Sequence, residues 1–111
     1  AAACGTADRR LFATRGGGGF RADLEACSRR CWGRGGCVSE CIAKVGYAKP
    51  CSQCFGALSQ CTRSHCMWQC LPGDSPGCTS CARDKCRPAF RSCSGLDDDE
   101  FDGRPSGLAA T

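Results

Sequence analysis

Cys54-Phe55-Gly56-Ala57-Leu58-Ser59-Gln60-Cys61-Thr62-Arg63-Ser64-His65-Cys66-Met67-Trp68-Gln69-Cys70 is the stretch that decides the fold, together with Cys78-Thr79-Ser80-Cys81-Ala82-Arg83-Asp84-Lys85-Cys86-Arg87-Pro88-Ala89-Phe90-Arg91-Ser92-Cys93. Read forward from Cys54, the cysteines are separated by six, four and three residues; read backward from Cys93, by six, four and two. The two series mirror each other about Leu71-Pro72-Gly73-Asp74-Ser75-Pro76-Gly77. Pairing them antiparallel gives Cys54–Cys93, Cys61–Cys86, Cys66–Cys81 and Cys70–Cys78, whose position numbers sum to 147, 147, 147 and 148. A constant sum is what two antiparallel helices of equal rise require, because each step up one is a step down the other. The spacing therefore predicts a helical hairpin stapled by four disulfides.

A smaller version lies upstream. Cys27-x3-Cys31 faces Cys37-x3-Cys41 across Gly33-Arg34-Gly35-Gly36, and Cys27–Cys41 and Cys31–Cys37 both sum to 68. Cysteines at i and i+4 share a helix face, so two antiparallel helices can be tied twice. Helices are expected over Ala22–Trp32, Cys37–Tyr47, Cys51–Cys70 and from Pro76 or Gly77 to Cys93. Lys49-Pro50 stops the second, and Pro50 suits the first turn of the third. The four-residue gaps Thr62–His65 and Ala82–Lys85 rotate each cysteine stripe by about 140°, at about 100° per residue. A shared bend or local unwinding is expected there. By elimination Cys4 pairs with Cys51. The fold class is all-α: two antiparallel hairpins forming a small disulfide-rich domain at residues 21–95. It is flanked by an extended Gly-rich arm at 1–20 and an acidic extended tail at 96–111.

Composition bounds the compartment. Fourteen cysteines in 111 residues mark a disulfide scaffold, and an even count fits seven bridges with no thiol left over. Such bridges persist in secreted space, the ER, the periplasm, the mitochondrial intermembrane space or an organelle lumen, not in the cytosol. No stretch approaches the roughly 20 apolar residues a membrane span needs, and Ala1-Ala2-Ala3 suits a chain already trimmed by a signal or thylakoid-type peptidase. Residues 1–95 carry fourteen Lys/Arg against six Asp/Glu, giving +8, whereas 96–111 carry one against five, giving −4. The basic body lacks the aromatic interleaving and motifs of a nucleic-acid binder.

Cys51-x2-Cys54 and Cys78-x2-Cys81 read alternatively as zinc ligands or as a redox dithiol. With a single histidine and mirrored spacing, disulfides are the favoured reading and no metal is expected. His65 is a candidate pigment ligand or thiolate activator, weighed against a solvent-facing residue in the Thr62–His65 gap. Trp32, Trp68, Phe55 and Phe90 are expected to cover the disulfide seams; Trp32 and Trp68 could instead anchor at a partner or membrane interface. No Ser/His/Asp, Cys/His/Asn or paired-carboxylate constellation is present, so no enzyme and no cofactor of its own are expected. Leu11, Phe12 and Phe20 on the arm and Phe101 and Leu108 on the tail are the candidate partner contacts.

Cys51-x2-Cys54-Phe55-Gly56, Cys66-x3-Cys70 and Cys93-Ser94-Gly95-Leu96 resemble a class of cysteine-rich helical proteins of dinoflagellate algae. Similar small proteins are lumenal accessory subunits of photosystem I–antenna supercomplexes. The resemblance covers about residues 27–96. It implies a non-pigmented structural subunit in the thylakoid lumen, peripheral to the membrane and bound to protein subunits of a membrane complex. A secreted defence or signalling protein and a zinc-binding cysteine-rich module are the other readings of the chain.

Complete pairing has a direct consequence. The intact native chain should weigh about 14 Da less than its fully reduced form, two hydrogens per bridge, and should not react with thiol reagents under native conditions. Bound zinc together with reactive thiols would give the opposite result.

Overall fold

The computed structural model describes the backbone of residues 2–15, 19–71 and 75–97, and the side chains of 2–11, 22–71 and 75–97. Seven α-helices occupy these residues: α1 (Thr6–Arg15), α2 (Gly19–Cys31), α3 (Gly35–Val45), α4 (Lys49–His65), α5 (Met67–Cys70), α6 (Pro76–Lys85) and α7 (Arg87–Ser94). Among the described residues there is no strand. The class is all-α and disulfide-rich, with α2 and α3 forming one antiparallel hairpin and α4–α5 with α6–α7 the other.

All fourteen cysteines are bridged, in the same seven pairs that the spacing and elimination select. Cα–Cα distances run from 4.6 Å at Cys4–Cys51 and Cys70–Cys78 to 5.9 Å at Cys66–Cys81, inside the range a disulfide spans without moving backbone. The two long helices expected at 51–70 and 76–93 are each interrupted. Cys66 (φ −126°, ψ 22°) separates α4 from α5, and Cys86 (φ −120°, ψ −31°) separates α6 from α7. The cause is the five-residue step from Cys61 to Cys66 and from Cys81 to Cys86. It carries the second sulfur of each helix off the seam, and the break turns it back. Pro88 helps at the second break, because it lacks the N–H that a continuous helix would donate to Asp84. Since Cys66 bonds Cys81 and Cys86 bonds Cys61, the breaks are one rung apart rather than at a shared level. Each helix bends at the C-terminal end of its own gap.

The hairpins meet where α3 crosses α4. A Cβ on Gly56 would stand 2.5 Å from the Gly35 carbonyl oxygen and 3.0 Å from Ser39 Cβ. Only hydrogen at position 56 lets the two backbones come this close. Gly35 N–H, an orphan donor of the first turn of α3, bonds Gln60 Oε1 on α4 at 3.0 Å, which caps one helix with the side of the other. Around this crossing Leu24, Val38, Ile42, Phe55, Leu58 and Phe90 are buried among the sulfurs. Phe55 and Phe90 rings lie 5.2 Å apart in a tilted arrangement, a favourable aromatic geometry. Tyr47 turns its hydroxyl onto Asp23 Oδ2 at 2.6 Å, so this buried polar pair is satisfied.

The N-terminal segment differs from the expected arm. Thr6–Arg15 is helical, and residues 2–11 belong to the body. Ala3 and Cys4 N–H donate to the Cys93 and Ser94 carbonyls, both at 3.0 Å, and Cys4 is fully buried in its bridge to Cys51. The buried Asp8 carboxylate accepts from Gly5 N–H at 3.1 Å and from Ala48 N–H, at the start of α4, at 2.8 Å. A carboxylate at that position completes the α4 N-terminus electrostatically. Arg9 reaches the Gly95 carbonyl at 3.1 Å. At the other end Leu96, assigned by sequence to the tail, is buried in the core. The boundary drawn at 20/21 therefore falls inside α2, and the one drawn at 95/96 separates the buried Leu96 from its core. Gly16–Gly18 and the acidic residues 98–111 lie outside the described residues.

Two expected outcomes follow from this packing. Gly56→Ala should destabilise the protein by about 1–3 kcal/mol through overpacking. Gly36→Ala, with nothing within 4 Å of its Cβ, should cost nothing or add up to about 1 kcal/mol of helix propensity. Paired thermal melts of the two variants check both signs. Removing residues 1–11 should lower the melting temperature strongly, because it deletes a bridge worth about 2–5 kcal/mol and uncaps α4.

Candidate functional site

Trp32 and Trp68 do not cover the disulfide seams. They are 79% and 80% exposed, whereas Phe55 and Phe90 are buried. The helical register explains Trp68: it stands two residues from both Cys66 and Cys70, about 200° around the axis from each sulfur, and so faces away from the ladder. Trp32 follows Cys31, the last staple of its hairpin, and leaves the helix in the left-handed region at φ 55°. Gly33 continues the turn at φ 74°, with its N–H returning to the Ser28 carbonyl at 3.0 Å. This closes α2 in the manner of a Schellman end. Glycine adopts such angles freely, but a bulky L-residue pays roughly 1–2 kcal/mol.

That strained corner is held in place. Ser59 on α4 donates to the Gly33 carbonyl at 3.3 Å, and Ser28 lies 3.0 Å from Ser59 oxygen to oxygen. Ser28 therefore donates to Ser59, and both hydroxyls are spent on fixing the corner. Trp32 projects at the edge of a groove of about 560 Å³ running between α2, α4, α5 and α6. Its deep part is made by the buried Leu24 and Leu58 and the half-buried Ala82, and its rim by Trp32, Met67 and Leu71. The Cys70–Cys78 bridge forms part of the wall and pins α5 to α6 there. Trp32, Met67, Trp68 and Leu71 are the large apolar side chains exposed among the described residues. Three of them line this one groove, and Trp68 adjoins Met67.

The charged lining is mostly cationic: Arg29, Arg63, Arg83 and Arg87 against Glu25. Arg87 is buried, and both Arg87 and Glu25 have partners within the fold, although Arg87 Nε has no hydrogen-bond partner. Arg29, Arg63 and Arg83 are exposed and make no hydrogen bond or ion pair among the described residues. The Arg63 stem packs across Gly33, within 3.5 Å of where a Cβ would sit. A volume of this size is typical of sites for small ligands, with apolar walls and a few polar groups at the mouth.

The residues singled out by sequence fall elsewhere. His65 is exposed at the end of α4 and takes no part in the groove. Leu11, expected to reach a partner, packs on the protein's own core and against Gly46. The side chains of Phe12, Phe20, Phe101 and Leu108 lie outside the described residues. In the C-x2-C elements every sulfur has a different, distant partner. Cys51 bonds Cys4, Cys54 bonds Cys93, Cys78 bonds Cys70 and Cys81 bonds Cys66. Neither element is thus a self-contained dithiol, and among the described residues no three His, Cys, Asp or Glu are grouped to hold a metal.

No family model, no curated protein and no solved structure matches this chain.

Replacing Trp32 by glycine separates surface role from fold. Trp32→Gly removes a side chain that is mostly in solvent and relieves the left-handed strain. It should leave the melting temperature unchanged or raise it, by up to about 1–2 kcal/mol in stability. A clear loss of stability would instead make Trp32 a packing residue.

Proposed function

We propose that the protein is a non-enzymatic accessory subunit that binds other proteins in an oxidising, non-cytosolic compartment. The observation that carries this reading is the gathering of the exposed Trp32, Met67 and Leu71 around one groove, with the exposed Trp68 next to Met67 in the chain, on a body closed by seven bridges. Scattered exposed apolar residues need no explanation, but a contiguous set does. Trp, Met and Arg are the side chains enriched at protein interfaces, and Trp and Arg dominate their energetics. Burying a large apolar side chain contributes about 1.5–3 kcal/mol. A crosslinked platform loses little conformational freedom on binding, so more of that contribution survives as affinity.

The seven bridges support an oxidising setting, and among the described residues no helix is long and apolar enough to cross a membrane. The resemblance to dinoflagellate proteins extends the proposal to the thylakoid lumen, with photosystem I and its antenna as the membrane complex. The docking element is revised from the sequence reading. The flank formed by α5 and the α2–α3 corner takes the role first given to the arm and the tail, because Leu11, the one of those five contact residues whose side chain is described, packs on the protein's own core.

Native electrophoresis of a detergent-solubilised membrane fraction tests this. The protein should migrate with a large complex, and Trp68→Ala with Leu71→Ala should release it while leaving the isolated protein folded. Migration of the native protein as a free monomer would favour the secreted reading and defeat this one.

A further inference from the structure

We propose that the groove between α2, α4, α5 and α6 binds one single-chain anionic amphiphile, a long-chain carboxylate. The acyl chain lies on Leu24 and Leu58, and the carboxylate meets the arginines at the mouth. The groove shares Trp32, Met67 and Leu71 with the docking flank, and its occupancy is read on the isolated protein, so the two readings fail separately.

The chemistry of the lining selects the occupant. Three of the hydroxyls that face the groove are already used inside the fold. Ser28 and Ser59 hold the Trp32 corner, and Thr62 donates to the Leu58 carbonyl at 3.0 Å. The fourth, Thr79, also has a partner. An extended peptide would need donors and acceptors along its whole length, and the deep part of the groove, made by the side chains of Leu24, Leu58 and Ala82, offers neither. A hydrocarbon chain has no such groups. A flat membrane surface cannot fill a concavity of about 560 Å³, whereas this volume suits a small ligand. Arg29, Arg63 and Arg83 then supply the complement to a carboxylate, which guanidinium binds through paired N–H donors. Trp32, held at the edge at a conformational cost, provides an amphipathic lid edge between chain and solvent.

Titration calorimetry of the full chain with decanoate and with 1-decanol, which share a chain length and differ in head charge, tests the assignment. Decanoate should bind saturably at one site, about tenfold or more tighter than 1-decanol, with an advantage that shrinks as salt rises. Arg29→Gln with Arg63→Gln and Arg83→Gln should bring the two ligands to equal affinity while 1-decanol binding stays unchanged, an effect that a merely structural role would not produce. Trp32→Gly should weaken both ligands by a similar factor, about tenfold. Absence of saturable decanoate binding, or equal affinity for both ligands in the native protein, would overturn the proposal. So would association with phosphatidylglycerol vesicles when decanoate does not bind, which would assign the surface to a membrane.

Discussion

The antiparallel register of α4–α5 against α6–α7 is the constraint on which the rest of the molecule depends. Four bridges fix it, each tying a residue on one limb to the residue at the same height on the other. A chain with so few large aliphatic residues gains limited stability from apolar burial, and crosslinks offset that deficit by restricting the unfolded state. The ladder also dictates the helix breaks. Because the sulfurs must stay on one seam, the helices yield at Cys66 and Cys86, and α5 becomes a single turn held by a bridge at its end. Its short length presents Met67, Trp68 and Leu71 outward. The exposed flank is thus a by-product of the crosslinking pattern as much as of the side chains on it.

The second hairpin is fastened by shape. Two bridges close α2 on α3, and the Gly35–Gly56 crossing lets this unit seat on α4 at backbone distance. The same seating brings Ser28 and Gly33 within reach of Ser59. One close helix crossing therefore connects the packing of the core to the placement of Trp32, and so to the groove. Stability and surface function share a single element here.

Covalent geometry made much of the fold legible in sequence. A sulfur can bond only where a helix face puts it, so cysteine positions alone encode direction, pairing and register. What was not legible depended on other physics. Helix α1 carries little apolar periodicity, with Leu11 and Phe12 its only large apolar residues. It is held by Cys4, Asp8 and Arg9 through contacts with residues some 40 to 90 positions away, which no local pattern announces. The tryptophans misled because large aromatic residues are usually inside, whereas their angular distance from the neighbouring cysteines pointed outward. That signal was present in the spacing Cys66-x-Trp68-x-Cys70 for anyone reading angles rather than hydrophobicity. The groove was invisible for a different reason. It joins residues of five helices, and its cationic mouth draws on Arg29, Arg63 and Arg83, which are far apart in the chain.

Disulfide mapping of the native protein, digested at acid pH so that bridges cannot exchange, tests the antiparallel ladder most directly. The account predicts peptides joining Cys54 to Cys93, Cys61 to Cys86, Cys66 to Cys81 and Cys70 to Cys78, with Cys4 joined to Cys51 and the pairs Cys27–Cys41 and Cys31–Cys37 closing the smaller hairpin. A bridge closed within Cys51-Ser52-Gln53-Cys54 or within Cys78-Thr79-Ser80-Cys81, or Cys54 joined to any residue other than Cys93, would contradict it.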